Sequence, residues 1–485
     1  MQPPFRLVSG ACLLIRQFHS IQVTIAILGL LTFQSAAAVG SDKQAQPALA
    51  TCPLAEADFD AASDAKALDH YHLAVSQLLK QGKFAELDCL SDAARTSKAR
   101  FTGGAWKLRQ LYFGLSTPRP GHPTQDDWKQ HFDLIERWRT QNPQSITAPI
   151  VLAESYTSYA WDARGDGFAN TVSESGWKLF ADRLSKAREI LDQAAPARCP
   201  DWYVAMQQIA NGQDWKLDQQ YDLLRQAIAF EPGYQYYYRI LANSLQAKWG
   251  GEEGDPARFA EEYANRVGGD AGDILYFQIA ENLVCGCEDP EFGHFSWPRL
   301  QKGYAALEKQ YGMSMGSLNY FALMASKSED WVAAEPAFQR IGENWSEDAW
   351  LTEDSFKQNR SAAAAGAAAQ AHARSIQAEA EKNLKSQEGQ DYRKEVAKKV
   401  AAYEPACLEE AQGDAHKAQF FLQVGQDGSA RDGVTLRRPD HFTFCLMKAL
   451  YVTFKNKETP FPVPPRDQYW VLLELDPEKL AASVK

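Results

Sequence analysis

The feature that most constrains this chain is a helical spacing of apolar residues between about residues 52 and 355. In one stretch the apolar residues advance by three or four positions, which places them on one face of a helix of about five turns. They are Trp177, Phe180, Leu184, Ala187, Leu191 and Ala194. The same spacing recurs at Trp128, Phe132, Ile135 and Trp138. Few alternating, strand-like runs interrupt this pattern, so we expect an all-α region of paired helices.

Three short segments match part of the tetratricopeptide unit. In that unit an aromatic residue opens the second helix, small residues permit close helix contact, and proline ends the pair. The segments are Gly82–Leu87, Ala227–Pro232 and Asp330–Ile341. Their turns are not separated by whole multiples of the repeat length of about 34 residues. We therefore expect a degenerate helical repeat, an architecture that usually binds peptides or proteins.

The amino-terminal segment has the layout of a secretory signal. Arg6 and Arg16 precede the apolar run Ile21–Phe33, and the small residues Ala36 and Ala38 follow it. We expect cleavage after Ala38 and a periplasmic protein. The alternatives are an uncleaved inner-membrane anchor, which would be the chain's only membrane contact, and a lipid anchor at Cys52.

Cysteine count and charge restrict the protein further. Loss of the signal would leave seven cysteines, an odd number, so at least one thiol should stay free in an oxidising compartment. The net charge is −11, which argues against non-specific nucleic-acid binding. The common hydrolase, metalloprotease and nucleotide-binding motifs are absent from the sequence. We therefore expect no catalytic residue, no metal site and no cofactor.

The composition changes after residue 356. An alanine-rich stretch follows, which we interpret as a solvent-exposed helical linker over residues 356–392. Beyond it we expect a helix over about Tyr392–Gln412, two strands joined by an Asp427-Gly428 turn, a second helix, and the strand Tyr469–Leu475. Cys407 and Cys445 lie on the two helices, and a disulfide between them would contribute about 4 kcal/mol by chain entropy.

The helical region resembles a bacterial family, domain-of-unknown-function family 4034, over about residues 70–350. The resemblance rests on Tyr159–Gly167, Trp177 with Phe180, Cys199–Tyr203, Glu231–Tyr238 and Lys248–Asp255. It implies a helical, tetratricopeptide-like body without an established activity. Binding residues are expected in these motifs, and they are Trp161, Arg164, Asp166, Trp202, Tyr236, Trp249 and Asp255.

The carboxy-terminal block is similar to the TonB carboxy-terminal fold over about residues 395–477. Its features are a helix cysteine before the strands, the Asp-Gly turn, a second helix cysteine, and the stretch Phe461–Pro464. The resemblance implies a small disulfide-closed module whose sheet edge, Tyr469–Leu475, takes up a strand of a partner protein.

These observations predict a mainly α protein with four segments. They are a signal peptide (1–38), a tetratricopeptide-like helical domain (52–355), the linker (356–392) and a small α+β domain (393–480). The favoured hypothesis is an exported, non-enzymatic interaction or scaffold protein that binds a protein or peptide. One alternative is a hydrolase or lyase on an α/α scaffold, with a cleft near residues 161–167 and 249–255. The other is a membrane-tethered, TonB-like transducer.

Overall fold

The structure is a computed structural model that describes residue 52 and residues 61–479, except 120, 122, 166, 168, 196–198, 287–289, 412, 457 and 478. The predicted signal peptide lies outside the described residues. The chain forms two compact units. The first contains the described residues up to Phe321 together with Ile341–Glu353, and the second contains Ala322–Arg340 and the residues from Asp354 onward.

The first unit is helical, as the periodicity predicts. Its helices are α1 (Ala67–Lys80), α2 (Phe84–Ser97), α3 (Lys107–Leu115), α4 (Gln125–Gln141), α5 (Thr147–Arg164), α6 (Glu174–Ala194), α7 (Pro200–Gly212), α8 (Leu217–Phe230), α9 (Tyr236–Ser244), α10 (Asp255–Val267), α11 (Gly269–Leu283) and α12 (Trp297–Tyr311). Two helices run across the unit boundary, α13 (Met315–Lys327) and α14 (Trp331–Ile341), and the short α15 (Glu347–Trp350) belongs to the first unit.

Local sequence signals fix the ends of the two helices with the clearest apolar stripes. Helix α4 begins after Thr124, whose hydroxyl accepts a hydrogen bond from the Asp127 amide while the Asp127 carboxylate accepts one from the Thr124 amide. Helix α6 begins after Ser173, whose hydroxyl accepts from the Gly176 amide. The predicted stripe of α6 is buried from Phe180 to Ala194.

Neighbouring helices in the chain pack on one another. The most extensive contacts are between α5 and α6 and between α11 and α12, and α10 also packs on α11. The core between these helices is rich in large aromatic side chains, which explains the high aromatic content of the sequence. Those with less than 2% exposure include Trp106, Trp128, Trp138, Tyr112, Tyr234, Tyr237, Tyr238, Tyr276 and Phe277.

A buried ionic cluster lies inside this aromatic core. The Arg109 guanidinium on α3 donates hydrogen bonds to Glu154 on α5, at 2.5 Å, and to Asp201 on α7, at 2.7 Å. The Tyr234 hydroxyl donates to the second oxygen of Asp201 at 2.5 Å. Each of these four residues is 8% exposed or less. The cluster therefore joins three helices to the turn that precedes α9.

The cluster contains one cation and two carboxyl groups, which changes how the carboxyls titrate. Burial, together with the charge of the neighbouring Asp201, raises the pKa of Glu154 to about 7, although Arg109 opposes the shift. Burial also raises the pKa of Asp201, against Arg109 and the Tyr234 hydrogen bond. A proton on Glu154 leaves one buried positive and one buried negative charge, which is the cheaper arrangement in a medium of low polarity.

The second unit combines helices with a small sheet. Its further elements are α16 (Glu353–Asn383), α17 (Gln387–Val400), α18 (Glu404–Glu410), β1 (Ala418–Val424), β2 (Ala430–Thr435), α19 (His441–Lys455) and β3 (Tyr469–Leu475). The strand order is β2-β1-β3, and both pairings are antiparallel. The β1–β2 turn contains Gly428 with φ +75°, a conformation that favours glycine.

Side chains of the sheet are buried on both of its faces. One face, which includes Phe420 and Val471, packs against α17, α18 and α19, and the other, which includes Phe421 and Trp470, packs against Ile376 and Ala380 of α16. The second layer explains why β3 is a nearly continuous apolar run rather than an alternating one.

Helix α16 covers most of the segment that the sequence analysis interprets as a solvent-exposed linker. The helix is formed, but one of its faces is buried in the second unit. The Gln370 amide nitrogen donates to the Glu329 carbonyl at 2.7 Å and to the Leu436 carbonyl at 3.2 Å, and Arg374 pairs with Asp330 at 2.5 Å. Three of the six buried residues of this helix are alanines, so the buried face leaves no continuous stripe of large apolar residues in the sequence.

The single helix expected over Tyr392–Gln412 is also revised, because the structure has two helices there. Helix α17 ends at Val400, and α18 begins at Glu404 with Pro405 in its first turn. Proline is accepted at a helix start, where its missing N–H group is not needed, but it disrupts a helix interior.

The cysteines form two disulfides whose partners are both described. They join Cys52 to Cys89 in the first unit and Cys407 to Cys445 in the second, the latter being the pair proposed from the sequence. Cys285 is also disulfide-bonded, and Cys287 lies outside the described residues. Cys199 is a free, buried thiol. Within the described part of the chain, no helix has the length and apolar character needed to cross a membrane.

We expect Arg109→Met to lower the free energy of unfolding by about 3–5 kcal/mol, because it leaves two carboxyl groups in the core without their cation. Thermal unfolding measured by calorimetry tests this. The matched control is Arg225→Met, which removes an exposed ion pair with Asp222 and should cost less than about 1 kcal/mol. Equal effects of the two substitutions would contradict the role given to the cluster.

The raised pKa of Glu154 predicts a particular dependence of stability on pH. The protonated Glu154 stabilises the folded state. This stabilisation is complete below about pH 4.5, the ordinary pKa of glutamate, and is lost as the pH rises through about 7. Glu154→Gln should therefore become more stable relative to the native chain over this range, by about 3 kcal/mol in total. Guanidinium unfolding curves at a series of pH values test this. A constant difference between the two proteins at every pH would contradict it.

Candidate functional site

Two of the predicted binding residues, Trp161 and Arg164, lie at the end of α5, where Arg164 stabilises the following loop. The Arg164 guanidinium is buried and donates to the carbonyl oxygens of Gly165 at 2.9 Å and Gly167 at 2.7 Å. It also lies 5.6 Å from the centre of the Trp177 ring, and Trp161 packs edge-on against Phe180. Asp166 lies outside the described residues.

Three other predicted binding residues are placed by local packing. Trp202 is 5% exposed and its indole nitrogen donates to the Leu191 carbonyl at 2.9 Å, so it belongs to the core. The Asp255 carboxylate accepts from the Glu252 amide at the start of α10 and pairs with Arg258. Trp249 is half-buried, and its indole nitrogen is shielded from solvent without a hydrogen-bond partner.

Tyr236, the remaining predicted residue, belongs to a chain of polar contacts across three helices. Its hydroxyl accepts from the Trp106 amide at 3.2 Å and from the Gln110 side-chain amide at 3.3 Å. The Gln110 side-chain oxygen in turn accepts from Nε2 of His72 at 2.8 Å. Since Nε2 carries the hydrogen, Nδ1 of neutral His72 is a hydrogen-bond acceptor.

The close approach of α3 to α1 fixes His72 in this chain. A side chain at Gly114 of α3 would place its Cβ 2.9 Å from the His72 Cα and 2.4 Å from a Val75 methyl group, so glycine is required there. His72 is 3% exposed, and its Nδ1 has no hydrogen-bond partner. The nearest carboxylate oxygen, of Asp69, is 3.8 Å away, which is too far for a hydrogen bond.

Arg239 on α9 is the cation of this region. Its guanidinium lies 5.6 Å from the centre of the Tyr236 ring. Its Nε is shielded from solvent and has no hydrogen-bond partner, and within the described residues the guanidinium forms no ion pair. A guanidinium has five N–H donors in a fixed plane, so Arg239 retains donors for a further group.

Glu281 on α11 interacts electrostatically with Arg239. Burial raises the pKa of Glu281, and Arg239 and the Ser317 hydroxyl on α13 oppose the shift. Its side chain is nevertheless partly reached by solvent. Tyr320, one helical turn after Ser317, has its pKa raised by burial and by the charges of Asp348 and Glu281.

Asp348 on α15 is the last charged residue of this region. Burial raises the pKa of Asp348, and the negative charges of Asp69 and Glu347 add to the shift. Asp69 lies on α1 beside His72, with a carboxylate oxygen 3.8 Å from Nδ1 of the imidazole. Hydrogen bonds, one cation–ring contact and electrostatic interactions therefore connect side chains from six helices, and we call this set of residues the polar ring. Its members are Asp69, His72, Gln110, Tyr236, Arg239, Glu281, Ser317, Tyr320 and Asp348.

The polar ring has the chemistry of a binding surface for a polar ligand. It presents a guanidinium, three carboxyl groups, two phenols, a hydroxyl, an amide and an imidazole within the first unit. Arg239 forms no ion pair within the described residues, and its remaining N–H donors gain free energy when a ligand supplies an acceptor. Among the described residues, no three His, Cys, Asp or Glu side chains form a group that could hold a metal ion.

The second unit has a separate open groove. Its volume is about 450 Å³, and it lies between β2 and α19. Phe444 and Tyr451 line it and are 58% and 63% exposed, respectively. The predicted uptake of a partner's strand concerns β3, which lies at the opposite edge of the sheet and has side chains buried on both faces. That uptake stays a prediction.

Sequence reasoning identified only Tyr236 among the members of the polar ring, and the other eight residues have no linear signal. They come from six helices between residues 69 and 348, and each helix contributes one or two of them. The one usable signal was the pair Gly114 and His72, since a helical glycine indicates close contact with a neighbour.

Comparison with known proteins finds no match: no family model fits the chain, and no curated protein or solved structure is similar to it. The functional conclusion therefore rests on the geometry of the site and on chemical argument.

Proposed function

We propose that the chain is an exported, non-enzymatic protein that binds a segment of a partner protein in the polar ring. The observation that carries the proposal is the guanidinium of Arg239, which forms no ion pair within the described residues and whose Nε has no hydrogen-bond partner. Groups of this kind are costly inside a protein when they lack partners. A bound polypeptide segment would supply both donors and acceptors along its backbone.

The arrangement of the ring also suits a polypeptide more than a compact small molecule. Its residues are spread over six helices of a repeat-like body, a distribution that lets many weak contacts act on one extended ligand. Two aromatic rings, Tyr236 and Tyr320, offer apolar faces beside the polar groups, as is common where proteins bind one another.

Export is supported by the disulfides. Cys52 is joined to Cys89 and Cys407 to Cys445, and such bonds persist in oxidising compartments such as the periplasm. We therefore propose a periplasmic location, with retention at the inner membrane as the alternative if the amino-terminal segment is not removed. The TonB-like transducer hypothesis requires that retention.

Site-specific photocrosslinking in cells tests the proposed function. We expect a photoreactive benzoylphenylalanine at position 320 to crosslink a discrete partner, and mass spectrometry should identify one segment of it. The control position is 230, because Phe230 is an exposed aromatic residue outside the ring. Added Arg239→Met and Asp348→Asn substitutions should remove the crosslink. Identical products from positions 320 and 230 would contradict the proposal.

A second candidate function, acid–base catalysis, is favoured by one observation. Glu281 and Asp348 both have raised pKa values and both act electrostatically on Tyr320. Carboxyl groups shifted in this direction are typical of general acids in hydrolases and lyases. In this candidate the catalytic cleft lies at the polar ring, whereas the sequence predicts it near residues 161–167 and 249–255.

Turnover assays separate the two candidates. If the ring is catalytic, a panel of chromogenic oligosaccharides and peptides should reveal a substrate, and Glu281→Gln should reduce its turnover by at least about 100-fold. Glu308→Gln on α12, outside the ring, is the control. If the ring only binds, we expect no turnover by the native chain, while the crosslink from position 320 persists.

A further inference from the structure

We infer that the second unit attaches to the surface of an anionic lipid bilayer through the exposed face of α19. This attachment is independent of the polar ring and goes beyond the proposed function. It rests on exposed apolar side chains, on the open groove beside them, and on neighbouring cations that form no ion pairs.

Helix α19 exposes large apolar side chains on the side that faces away from the core. Phe442 and Leu446 pack in the core of the second unit. Phe444 and Tyr451, in contrast, are 58% and 63% exposed, and Val452 is 46% exposed. Exposed apolar residues that share one face of an element mark an interaction surface, whereas single ones are common. Because its other face is already packed, α19 can lie along a bilayer surface.

The groove between β2 and α19 adds apolar surface beside this face. Phe444, Met447 and Tyr451 line the groove from α19, and Phe420 and Leu422 line it from β1. Its volume is about 450 Å³. A lipid acyl chain is flexible and apolar, so its entry would remove both the chain and the groove lining from water.

Basic residues lie among the exposed apolar residues. Lys448 and Lys455 follow Phe444 by four and eleven positions, which places all three on one face of the helix. Arg437 and Arg438 lie just before α19. The two lysines and two arginines are exposed, and within the described residues none of them forms an ion pair. Their charges are therefore available to an anionic partner.

The charge of this stretch is opposite to that of the whole chain. Residues 431–455 contain five lysine or arginine residues and two aspartates, whereas the net charge of the chain is −11. Arg431 pairs with Asp427 at 2.7 Å, and the Asp432 carboxylate accepts a hydrogen bond from the Gly433 amide at 2.7 Å. An anionic surface attracts this stretch, which orients the protein with α19 toward the surface.

The residue types favour a bilayer over a folded protein partner. Lysine is depleted in protein–protein interfaces, whereas lysine together with phenylalanine is typical of helices that lie on lipid. The long lysine stem stays beside apolar groups while its ammonium reaches the phosphate headgroups. Tyrosine is enriched at the level of those headgroups.

Flotation of the full chain with lipid vesicles tests the inference. The probes are vesicles of phosphatidylcholine alone and vesicles of phosphatidylglycerol and phosphatidylcholine in equal amounts. We expect binding to the anionic vesicles to be at least about tenfold stronger. The difference should largely disappear at about 1 M salt, where the Debye length falls to about 3 Å.

Replacing the lysines tests the electrostatic part of the attachment. Lys448→Gln with Lys455→Gln should weaken binding to anionic vesicles about fivefold for each charge removed. The matched control is Lys382→Gln with Lys385→Gln, which removes two exposed lysines from the layer on the other face of the sheet. The control should bind as the native chain does.

Replacing the aromatic residues tests the apolar part. Phe444→Ser with Tyr451→Ser should weaken binding at least about tenfold. Leu217→Ser with Phe230→Ser is the control, because these residues are similarly exposed in the first unit. The replaced residues are exposed, so thermal unfolding should show that all variants fold. Attachment through the amino-terminal apolar segment would not respond to any of these substitutions.

Three outcomes would overturn the inference. They are equal binding to both kinds of vesicle, binding to neither, and α19 variants that bind as tightly as their controls. If the chain does not float and benzoylphenylalanine at position 451 crosslinks a protein in cells, this face binds a protein and the inference is wrong. The crosslink from position 320 decides the proposed function separately.

Discussion

The guanidinium of Arg109, placed between the carboxyl groups of Glu154 and Asp201, fixes the centre of the first unit. Apolar contacts tolerate sliding and rotation, whereas these hydrogen bonds are satisfied in one relative placement of α3, α5 and α7. Tyr234 extends the same constraint to the turn before α9.

The buried cluster and the polar ring share structural elements. Gln110 follows Arg109 directly on α3, and Tyr236 follows Tyr234 by two residues. Arg109 and Tyr234 belong to the ionic cluster, whereas Gln110 and Tyr236 belong to the polar ring. The core interaction therefore sets the relative positions of ring residues that belong to different helices. A preorganised surface loses less conformational entropy when it binds a ligand.

Residue spacing predicted the parts of the fold that depend on local physics. The stripe from Phe180 to Ala194 specified α6, and the spacing of Trp128, Phe132, Ile135 and Trp138 specified α4. The hairpin followed from apolar runs on either side of Asp427-Gly428. These features require only the period of a helix or strand and the chemistry of a cap or turn.

Residue spacing did not predict the features that depend on contacts between distant parts of the chain. Arg109, Glu154 and Asp201 look like ordinary surface charges in the sequence, because their burial depends on the pairing of three distant helices. The buried face of α16 escaped detection because Ala363, Ala373 and Ala380 are also common on exposed helices. Most of the polar ring was missed for the same reason, since its residues come together only in the folded unit.

The order in which the chain visits its two units has a consequence for how the binding surface is completed. The chain leaves the first unit after Phe321, contributes residues 322–340 to the second, and returns with the segment that carries Asp348. During synthesis the ring therefore stays incomplete until a piece of the other unit has already been made. A prematurely terminated chain ending near residue 321 would retain Arg239 and Tyr320 but lack Asp348. Only a chain extended beyond that return contains all nine residues of the polar ring.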